Sequence, residues 1–452
     1  MKEFGEYLKG KKVTLLGLGL LGRGVGDAAF LAECGAEVIV TDKKSEQELA
    51  ESVAKLKKYP SASKRIIFHL GGHLLEDFTN ADLVIKAASV PRNSPEIAAA
   101  KKAGVKVTMS TALAAKIARD MGAKIVGITG TRGKSTVTQM INHTLVQSGR
   151  KTLLGGNVRG ISTLALIPEV AKDTIVVLEL DSWQLQGFGD LEISPDIAVF
   201  TNLMPDHQNY YDNMGQYFAD KENIFRYQHQ GDALMVGKSI VDKIQAARPP
   251  IAPQVPPPIA SDWKLNVIGG HNRENASLAA AVLYALGLTE SEIKNGLESF
   301  KAVEGRLQFV REVRPFDKLR TGGVKIYNDN NATTPEATIA ALRALGRDIT
   351  LITGGSEKGL DLKELVEEIT KRTSAVIVLV HANYKGSERL KKELHKAEIT
   401  FEEADSLQGA VALATEKTTI GTILFSPAFA SFGMFKNEYD RNDEFMRLVR
   451  AL

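Results

Sequence analysis

Cysteine is nearly absent. Cys34 is the single one in 452 residues, so neither a disulfide framework within the chain nor a multi-cysteine zinc site is open to it. Net charge is also scarce: 57 Lys and Arg against 54 Asp and Glu leave +3, which makes no electrostatic case for nucleic acid or an anionic membrane. No run of about 18 uncharged apolar residues occurs, so no bilayer span is expected. The opening Met1-Lys-Glu-Phe-Gly-Glu6 is charged where a secretory leader needs an apolar core. Apolar residues at 44% and charged residues at 25% match ordinary globular usage, which excludes a disordered or fibrous chain. The expectation is a soluble, cytoplasmic monomer, and at about 150 residues per domain it holds about three domains.

What is present is alternation. Short β-branched runs alternate with longer helical patterns, the signature of parallel sheets with crossover helices and hence of an α/β protein. One series of strands is expected at 12–16, 37–41, 66–70, 82–87 and 105–108, and a second at 124–129, 151–154, 174–180 and 196–201. A third covers 307–313, 323–328, 348–353, 375–380, 399–402 and 422–426. Helices are expected over 275–286, after the capping box Thr289-Glu-Ser-Glu292, and after Thr334-Pro-Glu336, whose proline suits a first helical turn. The proline-rich stretch 248–258 reads as an extended surface connection, and 314–323 as a long hairpin loop. Seams near 110 and 302 then give domains at 1–110, 111–302 and 303–452.

The strongest local signal is Lys124-Ile-Val-Gly-Ile-Thr-Gly-Thr-Arg-Gly-Lys-Ser-Thr136. A buried strand runs into a glycine-rich turn and then a helix, the context a phosphate-binding loop requires. Gly130, Thr131, Arg132 and Gly133 would turn backbone N–H groups inward, and the helix N-terminus would add its dipole. Lys134 would reach the terminal phosphates, and the hydroxyl of Ser135, beside Thr136, would ligate Mg²⁺. One departure is plain: a standard loop has glycine where Ile128 stands. Downstream, 174–179 is a buried-strand pattern ending on Glu179, at the sheet edge where such folds bind ligands. Alone it is an ordinary strand-end acid; beside the loop it is a Mg²⁺ ligand candidate. Asp206 and His207 follow another strand at the same edge. Lys221, 14 residues on, reads from spacing alone as a solvated charge.

Leu16-Gly-Leu-Gly-Leu-Leu-Gly22 follows the first strand and satisfies G-x-G-x-x-G, with Asp42 ending the second strand 20 residues after Gly22. That is a dinucleotide fingerprint, so an NAD-dependent or other non-ligase nucleotide-binding protein is a rival reading. Any nucleoside diphosphate can use the same turn and the same acidic ribose anchor.

With both nucleotide signatures in place, the chain resembles the Mur ligases, the ATP-dependent amide ligases of peptidoglycan precursor synthesis. The resemblance covers nearly the whole chain. It rests on Gly17-Leu-Gly-Leu-Leu-Gly22, the loop at 127–136, Gly155-Gly-Asn157, Leu178-Glu-Leu-Asp-Ser-Trp-Gln-Leu185 and Thr201-Asn-Leu-Met-Pro-Asp-His207. Further on it rests on Gly270-His-Asn-Arg-Glu-Asn275, Gly305-Arg306, Asn328-Asp329, Gly354-Gly-Ser-Glu-Lys358 and Ser426-Pro-Ala-Phe-Ala-Ser431.

The resemblance implies an N-terminal Rossmann-like UDP-binding domain, a central P-loop ATPase domain with a parallel sheet, and a C-terminal Rossmann-like domain that receives the amino acid. The branch it most resembles adds D-glutamate to UDP-N-acetylmuramoyl-L-alanine; L-glutamate or another amino acid is the alternative within the class. By resemblance, Gly19, Leu20, Leu21 and Asp42 would contact the UDP moiety, with Lys43 and Ser89 nearby. Ser135 and Glu179 would hold one Mg²⁺. His207 and Lys221 would serve a second, Lys221 as a carbamate formed with CO₂. Asn157 and His207 would face the muramoyl peptide. Asn275, Arg306 and Asp329 would contact ATP, with Arg306 joining Lys134 in neutralising the transferred phosphate, while Lys358 and Ser431 would take the carboxylates of the incoming amino acid. The chain departs from that branch at Asn331, where a lysine is usual, at Asp181 and Trp183 in place of Ser and Phe, and at Gly305, where His is common.

Overall fold

The computed structural model describes residues 8–206, 210–313 and 323–452. The chain divides into two compact units, Met1–Ile259 with Asn275–Leu297, and Ala260–Glu274 with Glu298–Leu452.

The first unit holds two parallel sheets. One is built from β1 (Lys12–Leu16), β2 (Glu37–Asp42), β3 (Ile66–Leu70), β4 (Leu83–Lys86) and β5 (Lys106–Thr108), in the order β3-β2-β1-β4-β5. The other contains β6 (Lys124–Thr129), β7 (Thr152–Gly156), β8 (Ile175–Glu179), β9 (Ile197–Phe200), β10 (Ala233–Val236) and β11 (Pro253–Gln254), in the order β11-β10-β9-β6-β8-β7. Every pairing in both is parallel. Strands covered on both faces must be apolar nearly throughout. β6 obeys: Ile125, Val126 and Ile128 are buried, each contributing about 1.5–3 kcal/mol of transfer free energy. Ile128 pairs with Glu179 inside the ladder, so the departure from the standard loop falls within the strand and leaves the turn itself unchanged.

The second unit has one mixed sheet: β12 (Gln308–Val313), β13 (Val324–Asn328), β14 (Ile349–Thr353), β15 (Thr373–Leu379), β16 (Glu402–Ala404) and β17 (Gly421–Phe425), ordered β12-β13-β17-β14-β15-β16. Only the β12–β13 pair is antiparallel. That pairing is the expected hairpin; its expected loop, 314–323, lies outside the described residues apart from Gly323.

Topology then places the sites. In the first unit two pairs of neighbouring strands, β1 with β4 and β6 with β9, send their onward connections in opposite directions. The crevice beyond the carboxyl ends of β1 and β6, and beyond the central strand β17 of the second unit, is where folds of this class bind ligands. Those ends carry Gly17, Gly130 and Ser426.

Three expectations need correction. The strand expected at 399–402 forms instead at Glu402–Ala404, because Ile399 and its neighbours close the preceding helix. β10 was not expected at all: Ala-Leu-Met-Val is too short to be told from a helical fragment by pattern. The proline-rich connection is partly a strand, since Pro253–Gln254 pairs with β10 at the sheet edge, and both the edge and the first strand position tolerate a residue without N–H. Among the described residues no helix is long and apolar enough to cross a membrane.

Candidate active site

The turn after β6 runs into helix α1 (Lys134–Gln147). Gly130 and Gly133 take φ of 139° and 85°, and a Cβ on them would stand 1.9 Å from Thr201 Oγ1 and 2.5 Å from Asn275 Oδ1. Only glycine fits, and the resulting backbone curls into an anion cradle. The loop is strapped from below. Thr131 N–H donates to Asn202 O, Arg132 N–H to Asn202 Oδ1 (2.9 Å), and Thr201 Oγ1 to Arg132 O (2.6 Å). Arg132 also pairs with Asp206 at 3.6 Å. Lys134 Nζ folds back to Gly130 O (3.1 Å) and Thr131 O (3.2 Å), an ammonium held over the cradle.

Two further groups are brought to this turn. Glu179 ends β8 beside β6 and is buried, and the N–H of Asn157 donates to its carbonyl at 2.7 Å. Lys221 lies on helix α2 (Met214–Glu222) and is 1% exposed, not the solvated charge that spacing alone assigns. Its Nζ donates to Gly130 O (2.9 Å) and Thr129 Oγ1 (3.3 Å), because α2 packs its Lys221 face under the loop. Burial, and then Lys134 nearby, push its pKa well below the ordinary lysine value, against Asp181, Asp206 and Asp220. Asn275 packs on Gly133 in the same unit. His207 lies outside the described residues.

The arrangement fits a magnesium-bound polyphosphate. The cradle admits no Cβ, and the Ser135 hydroxyl and the Glu179 carboxylate, both hard oxygen donors, lie at one sheet edge together with Lys221. Among the described residues no cluster of three or more His, Cys, Asp or Glu could hold a metal unaided.

At the amino-terminal sheet, Gly17, Gly19 and Gly22 all take positive φ, and Asp42 Oδ2 accepts from the N–H groups of Leu18 (3.0 Å) and Gly19 (3.1 Å). Leu20 and Leu21 stand 58% and 42% exposed at the tip of this turn, costly unless something covers them. Lys43 and Ser89 are exposed at the ends of β2 and β4.

In the second unit, the ends of β13, β14 and β17 gather the remaining expected residues. Asp329 accepts from Leu307 N–H (2.9 Å) and Ser426 Oγ (2.9 Å), next to Arg306 in sequence. Lys358 Nζ donates to Thr333 Oγ1 (3.3 Å), while Ser431 is buried with its carbonyl accepting from Tyr384. Asn331, at the position of the usual lysine, donates to Glu304 O and holds the turn before Arg306. Asp181 caps helix α3 (Ser182–Asp190) in a full capping box, and Trp183 packs edge-on against Tyr210.

Sequence reasoning missed Arg23, Lys86, Gln186, Asn202 and Arg441, which support these loops from elements far away in the chain. Asn202 stood in a quoted motif, and Arg441 ends Lys436-Asn-Glu-Tyr-Asp-Arg441, which matches the resembled family only loosely; the others carried no local signal.

Three family models match the chain: the MurD-like N-terminal domain of Mur ligases over 11–109, the Mur ligase middle domain over 128–248, and the glutamate ligase domain of Mur ligases over 305–429. A UDP-N-acetylmuramoylalanine–D-glutamate ligase of Roseiflexus sp. (strain RS-1) is 33% identical over 98% of this chain and 99% of its own. The chain belongs to the Mur ligase family. The ligase of the same name from Borreliella afzelii (strain PKo) is 32% identical over 99% of both chains. Among solved structures, UDP-N-acetylmuramate–alanine ligase from Thermotoga maritima covers 98% of this chain with 99% of its own, at a TM-score of 0.61 and 19% identity, a likeness of fold. As a Mur ligase the protein is an ATP-dependent ligase, which removes the nicotinamide-dependent reading of Gly17-Leu-Gly-Leu-Leu-Gly22.

Proposed function

We propose that this Mur ligase joins D-glutamate to UDP-N-acetylmuramoyl-L-alanine through an acyl phosphate, in the cytoplasm and as a monomer, with domain seams near 110 and 302. The observation that carries the reading is the glycine cradle at 130–133 with Lys134 folded over it, Glu179 beside it and Lys221 buried against it.

The terminal carboxylate of the nucleotide substrate attacks the γ-phosphorus of ATP, ADP leaves, and an acyl phosphate results. The glutamate amine then adds to the acyl carbon and inorganic phosphate departs. The cradle N–H groups and Lys134 hold the phosphates in line and offset the charge on the transferred group, and Arg306 adds to this. Asn275 and Asp329 contact the rest of the nucleotide. Ser135 and Glu179 would hold one magnesium ion and His207 and Lys221 a second, and these ions would supply charge neutralisation to the phosphates. Burial, and then Lys134 nearby, lower the pKa of the Lys221 amine and so favour its neutral form, which adds CO₂ and loses a proton to give a carbamate, an oxygen ligand in place of an amine. Asp42, Gly19, Leu20, Leu21, Lys43 and Ser89 receive the UDP moiety, Asn157 the muramoyl peptide, and Lys358 and Ser431 the amino-acid carboxylates.

Asn331 favours one second reading, an amino acid other than D-glutamate, because a neutral amide replaces a cation usual near that carboxylate. The test supplies Mg²⁺, ATP and UDP-N-acetylmuramoyl-L-alanine and compares phosphate release across D-glutamate, L-glutamate and other amino acids. D-glutamate is expected to give the highest kcat/KM, and Lys134→Ala to abolish release. A preference for another amino acid replaces the D-glutamate reading; full turnover by Lys134→Ala removes the assignment of the cradle.

A further inference from the structure

Arg23 follows the amino-terminal glycine turn, yet its guanidinium serves the other sheet of the same unit. It opens the helix Arg23–Glu33 directly after Gly22. Nε and Nη2 donate to Val158 O at 3.2 and 3.0 Å, and Nη2 donates to Asn157 Oδ1 at 3.0 Å. On its other side the 156–158 segment is tied to the strand that carries Glu179. Asn157 N–H donates to Glu179 O, and a Cβ on Gly156 would stand 2.1 Å from that same oxygen. Asn157 is thus gripped between the backbone of a candidate magnesium ligand and an arginine from the nucleotide-binding turn.

The grip has a chemical direction. Guanidinium groups only donate, whereas a carboxamide both donates and accepts. The Asn157 amide must therefore turn its oxygen toward Arg23, and its NH₂ faces the opposite way. We infer that Arg23 is a positioning residue that sets Asn157 as an N–H donor to the anionic end of the nucleotide substrate, an assignment that rests on the function proposed above. The substrate's reacting group is a carboxylate approaching a site that already holds the acidic Glu179. An amide oxygen facing it would repel it, and an amide N–H attracts it. The same arginine stands one residue from the glycine turn, so the grip is anchored at the element that receives the diphosphate of that substrate.

Steady-state kinetics, calorimetric binding of UDP-N-acetylmuramoyl-L-alanine and thermal midpoints are measured on the parent and three variants. Arg23→Met is expected to raise KM for the nucleotide substrate and lower kcat, together costing about tenfold or more, as misplacing one orienting group does. KM for ATP stays put, because residues 130–136 make none of these contacts. Arg23→Lys recovers part of the loss, since one ammonium can still donate to Asn157 Oδ1. Asn157→Asp keeps the acceptor that Arg23 holds but removes the donor. It should lower kcat at least as far as Arg23→Met with no fall in thermal midpoint, a combination that a purely structural role does not produce. Arg23→Met within about twofold of the parent in both constants, or parental turnover by Asn157→Asp, overturns the assignment. Should Arg23→Met fail to fold, Arg23→Lys and Asn157→Asp decide on the same readouts. A parent that neither binds the nucleotide substrate nor turns over overturns the proposed function; a parent that does both while the variants are unaffected overturns the Arg23 assignment alone.

Discussion

A lysine shut away from water beside a second lysine is a poor structural choice. Desolvation and like charge both penalise it, and among the described residues its hydrogen-bond acceptors are Thr129 Oγ1 and Gly130 O. On the proposed reading a carbamate on its nitrogen would resolve the conflict, because a negative group beside Lys134 is favourable. Lys221→Ala should therefore lose nearly all turnover while leaving room for a small carboxylate, so formate or acetate should restore part of it. If tens of millimolar of either restores nothing while the variant still binds nucleotide, the carbamate assignment fails. This residue also marks where the sequence stops speaking. Lys134, Ser135 and the glycines were legible because their chemistry depends on adjacent positions. Lys221 was legible only by resemblance, because its environment is made by Thr129 and Gly130, about 90 positions away. Arg441 is the extreme case. It is 0% exposed, and its guanidinium donates to Asn330 Oδ1 (2.8 Å), Asn330 O (2.8 Å) and Phe429 O, clamping the two turns that carry Asp329 and Ser431.

At the scale of the element, the same strand-turn-helix unit is used at β1 and β6, and its glycines can be ranked. Gly130 sits at φ 139° with Thr201 Oγ1 and the backbone of Asn202 occupying the space a Cβ would need. Gly149 and Gly231 have comparable freedom of φ but nothing within 4 Å of a Cβ. Gly130→Ala should thus distort the cradle, at a cost of about 1–3 kcal/mol in stability and loss of ATP binding. Gly149→Ala should carry only backbone strain and keep normal KM for ATP. Calorimetric ATP binding to both variants checks this, and equal binding would show that the cradle tolerates a side chain. Elements of this kind were legible because burial on both faces forces continuous apolar runs bounded by glycine. β10, β11 and β16 were not, being two to four residues long or displaced by a helix end, with too few positions for a period to register.

At the scale of the whole molecule, the first unit is held together across its two sheets by groups that local patterns do not reveal. Lys86 ends β4, is buried, and donates to Val90 O (3.2 Å) and to Gln186 Oε1 on α3 (3.1 Å). Gln186 Nε2 in turn donates to Asp220 Oδ2 at 2.7 Å, one residue before Lys221. Burial pulls the Lys86 pKa down from 10.5 to about 8, against the attraction of Asp190 and Asp220. Between those two values the unfolded chain binds the proton and the folded chain does not, so stability from this group rises as the pH climbs from about 8 to 10.5. Below 8 the folded state bears the whole cost of the buried charge. A shift of this size corresponds to roughly 3 kcal/mol across the window. Lys86→Met keeps the bulk and removes the proton, so its urea-unfolding free energy should lack that upward component. Its difference from the parent should move in the parent's favour as pH rises. Parallel curves from pH 7 to 10 would show that Lys86 keeps an ordinary pKa, and that the link from β4 through Gln186 to Asp220 is made by a fully charged amine.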